Sequence, residues 1–266
     1  MAVTLTAALV LAGTPQPVQI VLAGIPAGTG FVIEGTADAG ASVWPVPGGV
    51  GVADSGQTVR VDNRSALNRS VTYRATVEGV TYTAAPVTIA HPGRVVLQSL
   101  DGQIVAPVRL HDNDDPRELD LRSHATSVPG RSRPPARIAP AGYGSGALEV
   151  TTTGAATAAL RDLLLSGLPI VVRTDGTAPL ERAVDLVLPQ RAPYSLATVR
   201  EYGDSRRWAI SFLFVDDPEP SAVLAAWTNA DFNAAMAART NAGFNALFTG
   251  STNLQFNTYD WGQLLP

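Results

Sequence analysis

The sequence predicts a mainly β protein: an immunoglobulin-like β-sandwich over residues 1–90, a second β domain holding one helix over 91–218, and a C-terminal extension of short helices over 219–266. Three observations predict it. Short runs of alternating apolar residues recur between turn signals through the first ninety residues, with no window of helical period. Before the C-terminus only one segment, Ala156–Leu164, places apolar residues at strong helical spacing. A Thr-Asn-x-x-Phe-Asn unit then recurs every 12 residues near the end of the chain. A length of 266 residues suits two domains at roughly 100–200 residues each.

In the first region Val3, Leu5, Ala7, Leu9 and Leu11 share one face. This stretch has no preceding positive charge and is too short to span a bilayer, so it reads as strand rather than signal peptide. Val18, Ile20 and Leu22 alternate, as do Phe31 and Ile33, and Val59 and Val61. Ser70–Val77 and Val80–Thr83 flank Glu78-Gly79, a two-residue hairpin loop with Gly second. About seven short strands fit a sandwich of immunoglobulin-like type, without its cysteine pair. Pro86 and Pro92 place the boundary within Ala84–Gly93.

The second region opens with a hairpin, Arg94–Leu100 and Ile104–Leu110 around Asp101-Gly102, followed by a strand at Glu118–Arg122. Residues 123–142 form a long Pro/Gly/Arg/Ser loop, of a length usually reserved for function or interaction. A strand at Ala147–Thr152 leads into the helix, where Ala156, Ala159, Leu160, Leu163 and Leu164 line one side and Gly167 supplies the C-terminal cap. Strands follow at Leu168–Arg173, Ala183–Leu188, Ala197–Tyr202 and Arg207–Val215. In the last, Trp208, Ile210, Phe212 and Phe214 oppose Ala209, Ser211, Leu213 and Val215, and this predicts a strand covered on both faces. The repeat units begin at Thr228, Thr240 and Thr252, and each reads as a capped helical turn presenting one Phe. Turns so short need a surface to dock on.

Composition narrows the function. Charged residues make up 16% of the chain, well below the roughly 25% of an ordinary soluble domain, so surface buried in an assembly is expected. The net charge of −4 disfavours nucleic acid. All 19 basic residues are Arg, which excludes Schiff-base chemistry and a P-loop lysine; the lack of Cys excludes disulfides, thiolate nucleophiles and Cys-ligated zinc.

Motifs with chemical potential resolve to structural readings. His111 heads Asp112-Asn113-Asp114-Asp115, but Pro116 interrupts the ligand spacing of a calcium loop, leaving an exposed turn. Gly142-Tyr143-Gly144-Ser145-Gly146-Ala147 matches a dinucleotide fingerprint formally, yet a strand rather than a helix follows, so a flexible connection is expected. Asp216-Asp217 reads as a solvated strand end, since neighbours on a strand face opposite ways. Arg131, Arg133 and Arg137 punctuate the long loop without interleaved aromatics, as an assembly arm would. Trp44, Trp208, Trp227 and Trp261 offer a sugar platform, with Trp208 expected in the core instead. No catalytic residue, metal site or cofactor is predicted, and the chain reads as non-enzymatic.

The order of features resembles the minor tail proteins of long-tailed phages infecting actinobacteria. The resemblance covers most of the chain and is strongest from Ala147 to Trp227. It is carried by Leu148-Glu149-Val150, the Ala/Leu helix, Gly167-Leu168-Pro169-Ile170-Val171-Val172-Arg173, Arg206-Arg207-Trp208-Ala209-Ile210-Ser211-Phe212 and Asp216-Asp217-Pro218, then by the spaced aromatics Trp227, Phe232, Phe244 and Phe248. Pro17-Val18-Gln19-Ile20-Val21-Leu22-Ala23-Gly24 resembles the immunoglobulin-like domain of such proteins. The family spaces its aromatics with Pro-Thr-Phe, where this chain uses Thr-Asn-x-x-Phe-Asn.

The resemblance implies a tail-tube/distal-tail-like domain over 91–218 and a structural subunit of the tail tip. Such a subunit forms a ring with itself, hexameric by preference with a trimer possible, and contacts the tail tube and other tail-tip proteins. DNA or tape-measure protein would pass through the lumen, with no membrane insertion, and the product would reside in the virion after synthesis in the host cytoplasm. The expected assembly interface is Trp227, Phe232, Phe244, Phe248, Phe256, Trp261, Arg131, Arg133 and Arg137, with the first domain as outer decoration. The alternative is a virion-surface carbohydrate-binding module for host recognition; a cell-wall hydrolase ranks last.

Overall fold

The computed structural model describes residues 2–10, 13–111, 116–121, 124–126, 129, 132, 136–137, 142–177, 180–197, 204–221, 236–237 and 240–250. It is mainly β, as expected.

The first body comprises β1 (Thr4–Leu9), β2 (Val18–Ala23), β3 (Gly30–Ala37), β4 (Ser42–Val52), β5 (Gln57–Asp62), β6 (Ser70–Val77), β7 (Val80–Thr83) and β8 (Val87–Thr88). They form two antiparallel sheets, ordered β1-β2-β5 and β4-β3-β6-β7, with β8 also on β6. Alternation does the sorting: Val18, Ile20 and Leu22 of one sheet and Phe31, Ile33, Trp44, Val46, Val71, Tyr73 and Ala75 of the other share a core. The β6–β7 turn is the two-residue loop expected from Glu78-Gly79. Both residues have positive φ, 49° and 79°, which matches the right-handed strand twist and closes the Val77–Val80 pair.

The second body is built from β9 (Val95–Ser99), β10 (Val105–Leu110), β11 (Arg117–Asp120), β14 (Gly142–Thr152), α1 (Ala155–Leu165), β15 (Ile170–Thr174), β16 (Val184–Arg191), β17 (Tyr194–Leu196) and β18 (Arg206–Phe214). Six of these strands run β14-β10-β9-β15-β16-β18, and β18 pairs back onto β14, closing a barrel. β11 extends the barrel beside one half of β14, and β17 extends it beside the far half of β18. The α1 residues Leu160 and Leu163 are buried with Leu97, Val108, Leu148, Val150, Trp208 and Ile210, so the helix joins the barrel core through the stripe its periodicity defined. Within the long loop, β12 (His124–Ala125) pairs with β13 (Ala136–Arg137).

Three sequence expectations are corrected here. Gly142–Ala147 is not a flexible connection but the first half of β14. A Cβ at Gly146 would lie 2.7 Å from the Phe212 ring, so glycine is what lets β18 pack this closely. The strand expected at Ala197–Tyr202 gives way at its start, because Ala197 is a bend following β17, and 198–203 lie outside the described residues. The strand covered on both faces is β15, not β18: its Ile170 and Val172 point into the barrel, while Val171 joins the sandwich core. The outward face of β18 stays half open, with Leu213 41% exposed.

The two bodies share buried surface. Val96, Val171, Ala183 and Val184 of the barrel belong to the sandwich core. The connecting segment is fixed by Asn68, whose side chain accepts from His91 N (2.7 Å) and donates to His91 O (2.8 Å). Asn68 holds φ at 51°, a region asparagine tolerates better than most residues.

Candidate functional site

Two regions carry side chains whose placement needs explanation: a buried polar network between the bodies, and the barrel's protruding strands.

The network centres on Asp62, at the end of β5, with no exposed surface. Its carboxylate accepts from Trp44 Nε1 (2.9 Å), Tyr73 OH (2.8 Å) and the Arg64 backbone N–H (2.7 Å). Arg173 reaches in from β15. Its Nε donates to Ser65 O (2.7 Å) and its Nη1 to Asn63 O (2.7 Å) and Gln98 Oε1 (2.8 Å). Gln98 Nε2 donates in turn to Asn63 O (2.8 Å). Burial lowers the Arg173 pKa to about 10, against the pull of Asp62, and burial raises the Tyr73 phenol well above its ordinary range, reinforced by Asp62. Arg64 forms an ion pair with Asp217, both side chains less than 5% exposed. Asp217 is thus the locked root of the C-terminal extension rather than a solvated strand end. This arrangement clamps two bodies together through the Arg173 and Asp62 bonds, although Arg173 Nη2, Asn63 Oδ1 and Ser65 Oγ are buried without a hydrogen-bond partner.

The barrel's protruding strands differ. On β11, Glu118, Leu119 and Asp120 are exposed, as is Leu121 just beyond. Arg117 faces the other way, pairing with Asp185 (2.9 Å) and stacking over Phe214 at 4.9 Å. A groove of about 530 Å3 runs past Leu119, Leu121, Gly144, Leu213 and Val215. On β17, Tyr194 and Leu196 are more than half exposed, and Tyr194 stacks on Trp208 at 4.4 Å.

The expected interface residues divide. Phe244 and Phe248 sit at 5.3 Å from each other on and just beyond α2 (Asn241–Leu247). Thr240 caps this helix, its Oγ1 accepting from Gly243 N at 3.1 Å, as the repeat's Thr-Asn start predicts. Arg137 lies on β13 opposite His124. Trp227, Phe232, Phe256, Trp261, Arg131 and Arg133 lie outside the described residues, as do the first and third repeat units and Asp112–Asp115. Trp44, offered for a sugar platform, is 1% exposed and spends its N–H on Asp62. Trp208 is core, as expected. Sequence reading missed the Asp62–Arg173 network and the β11 and β17 surfaces. A single Arg in Ile-Val-Val-Arg was the signal for the first; nothing local marked its partners.

Among the described residues no group of three or more His, Asp or Glu is placed to hold a metal ion. His91 Nδ1 accepts from Gly93 N (2.9 Å) and serves the connecting segment. No described helix is long and apolar enough to cross a membrane. No protein-family model matches the chain, and no curated protein matches it.

Proposed function

We propose that this chain is a non-catalytic structural subunit of a phage tail tip. It forms an oligomeric ring at the end of the tail tube, a hexamer by preference, and connects the tube to neighbouring tail-tip proteins within the virion. The observation that carries the reading is the grouping of exposed apolar residues, Leu119, Leu121 and Leu213 beside β11 and Tyr194 and Leu196 on β17, on the parts of the barrel that protrude. Large exposed apolar patches mark association surfaces. The sequence stretch with the strongest resemblance, from Ala147 onward, supplies β14, α1, β15, β16 and β18, most of the barrel wall. That supports a tail-tube/distal-tail-like reading of the second body. The pairing of a three-strand and a five-strand antiparallel sheet in the first supports its immunoglobulin-like reading.

The test is the mass of the assembled state. Native mass spectrometry at micromolar concentration is expected to give a closed oligomer of about six copies, and antibody labelling is expected to place the chain at the tail tip. A compact monomer at high concentration, absent from particles, sinks the proposal. The carbohydrate-binding alternative loses the buried Trp44 from its platform.

A further inference from the structure

We propose that copies of this chain join head to tail through the barrel's two open strand edges, β11 of one copy against β17 of the next. The inference rests on the self-assembling reading above and names its interface.

The sheet path begins at β11 and ends at β17, and among the described residues neither strand has a partner on its outer edge. The closing pair lies between them, with the two edges staggered along it: β11 runs beside Gly142–Gly146 of β14 and β17 beside Arg206–Trp208 of β18, at opposite ends of the pair. Each neighbouring pair is antiparallel. Directions therefore alternate across the set, and β11 and β17 point opposite ways. A second copy in the same orientation, shifted along the strands to take up this stagger, sets its β17 antiparallel to this β11, so the alternation of directions continues. A sheet edge leaves unpaired N–H and C=O groups, and pairing with another strand satisfies them.

The side chains at the two edges complement each other. The β11 edge exposes Glu118 with Leu119 and Leu121, an acidic and apolar surface. Around β17, the exposed Arg191 and the half-exposed Arg206 and Arg207 surround Tyr194 and Leu196, a basic and apolar surface. Glu149 takes part of the Arg207 charge, and Arg191 and Arg206 keep the edge positive. Opposite charge favours unlike edges meeting, and like charge disfavours β11 on β11 or β17 on β17. Such a contact is heterologous and yields a ring where the rotation closes, a filament where it does not. A second copy is therefore the occupant that fits both the strand direction and the charge.

The chain has no Cys, so engineered thiols report cleanly. The test uses the full chain with Leu119→Cys, Leu196→Cys and the double variant, treated with a short bis-maleimide whose reach tolerates a small register shift. The expected result is a covalent ladder for the double variant, dimers only from an equal mixture of the single variants, and no product from either single variant alone. Self-cross-linking of a single variant would mean an isologous contact and overturn the proposal. So would a thiol at 119 that is shielded in the monomer, which would place the chain's own extension in the groove. Oligomers that form without any 119–196 cross-link would overturn this interface and leave the assembly reading intact. A ladder from a protein absent from virions would do the reverse. Glu118→Arg is expected to weaken association at least tenfold, and adding Arg206→Glu to restore it. Glu118 is exposed and Arg206 half-exposed, and an unchanged thermal transition separates lost assembly from lost fold. Wild-type association by Glu118→Arg would overturn the charge pairing.

Discussion

A buried carboxylate needs donors, and Asp62 has three, from Trp44, Tyr73 and the Arg64 backbone. Its neighbour Arg173 gives the same region a pH dependence with two opposing parts. The Tyr73 phenol is held neutral in the folded protein, so its contribution is full below the unfolded value of 10.0 and drains as pH rises above it. The Arg173 guanidinium, lowered by burial from its ordinary value to about 10, costs most below pH 10, and the cost is relieved as pH climbs above it. Replacing Tyr73 by Phe removes the draining part. Urea unfolding of Tyr73→Phe is expected to show a loss of about 1–3 kcal/mol at pH 7, from the lost bond to Asp62. From pH 9.5 to 11 the variant's stability should rise, while in the wild type the two parts offset each other and leave it nearly flat; parallel curves for the two proteins would refute the assignment. Arg173→Met strips donors from Ser65 O, Asn63 O and Gln98, and a loss of about 2–4 kcal/mol is expected by the same measurement. In the sequence Arg173 is the charge that ends the apolar run Ile170-Val171-Val172. Its partners lie 75 to 110 positions away, and no periodicity reaches that far.

At the scale of elements, legibility followed local pattern. The β6–β7 hairpin, the β9–β10 hairpin and α1 were readable because turn glycines and a 3.6-residue stripe are local signals. The first half of β14 was not, because Gly142, Gly144, Ser145 and Gly146 carry poor strand propensity. Their reason lies in neighbours. A Cβ at Gly144 would meet Glu118 O at 2.7 Å, and one at Gly146 would meet Phe212 at the same distance. Gly146→Ala is therefore expected to overpack the β14–β18 contact and cost about 1–3 kcal/mol in thermal or chemical unfolding. A neutral result would mean that Phe212 swings aside freely. The coverage of β15 was misplaced onto β18 for a related reason. Both strands are apolar on both faces, and only the tertiary arrangement decides which one the sandwich covers. The candidate interface was legible in the same uneven way: the repeat's Thr240 cap could be read in sequence, while the β11 and β17 edges exist only once the barrel closes.

At the scale of the molecule, sandwich and barrel meet through core rather than through a tether. Val96, Val171, Ala183 and Val184 contribute to the sandwich core, Leu67 N donates to Thr174 O at 3.0 Å, and Ala183 N donates to Ser42 Oγ at 3.0 Å. Removing either body would expose those side chains and orphan the Arg173 donors, so neither keeps its full stability alone. Independent domains joined by a short linker would unfold in separate steps; bodies that share a core unfold together. Trp44 lies in the sandwich and Trp208 in the barrel, and each is buried in its own core. With Trp227 and Trp261 replaced by Phe, further variants keeping only Trp44 or only Trp208 give one probe per body. Their fluorescence transitions in urea are expected to coincide in midpoint and slope. Adding Arg173→Met should shift both to lower denaturant, or separate them if the clamp is the main coupling. Transitions that are well separated in the protein with Arg173 intact would show that the shared core does not couple the bodies. If copies join through β11 and β17 as proposed, two bodies that share a core would fix the orientation of every first body the ring carries.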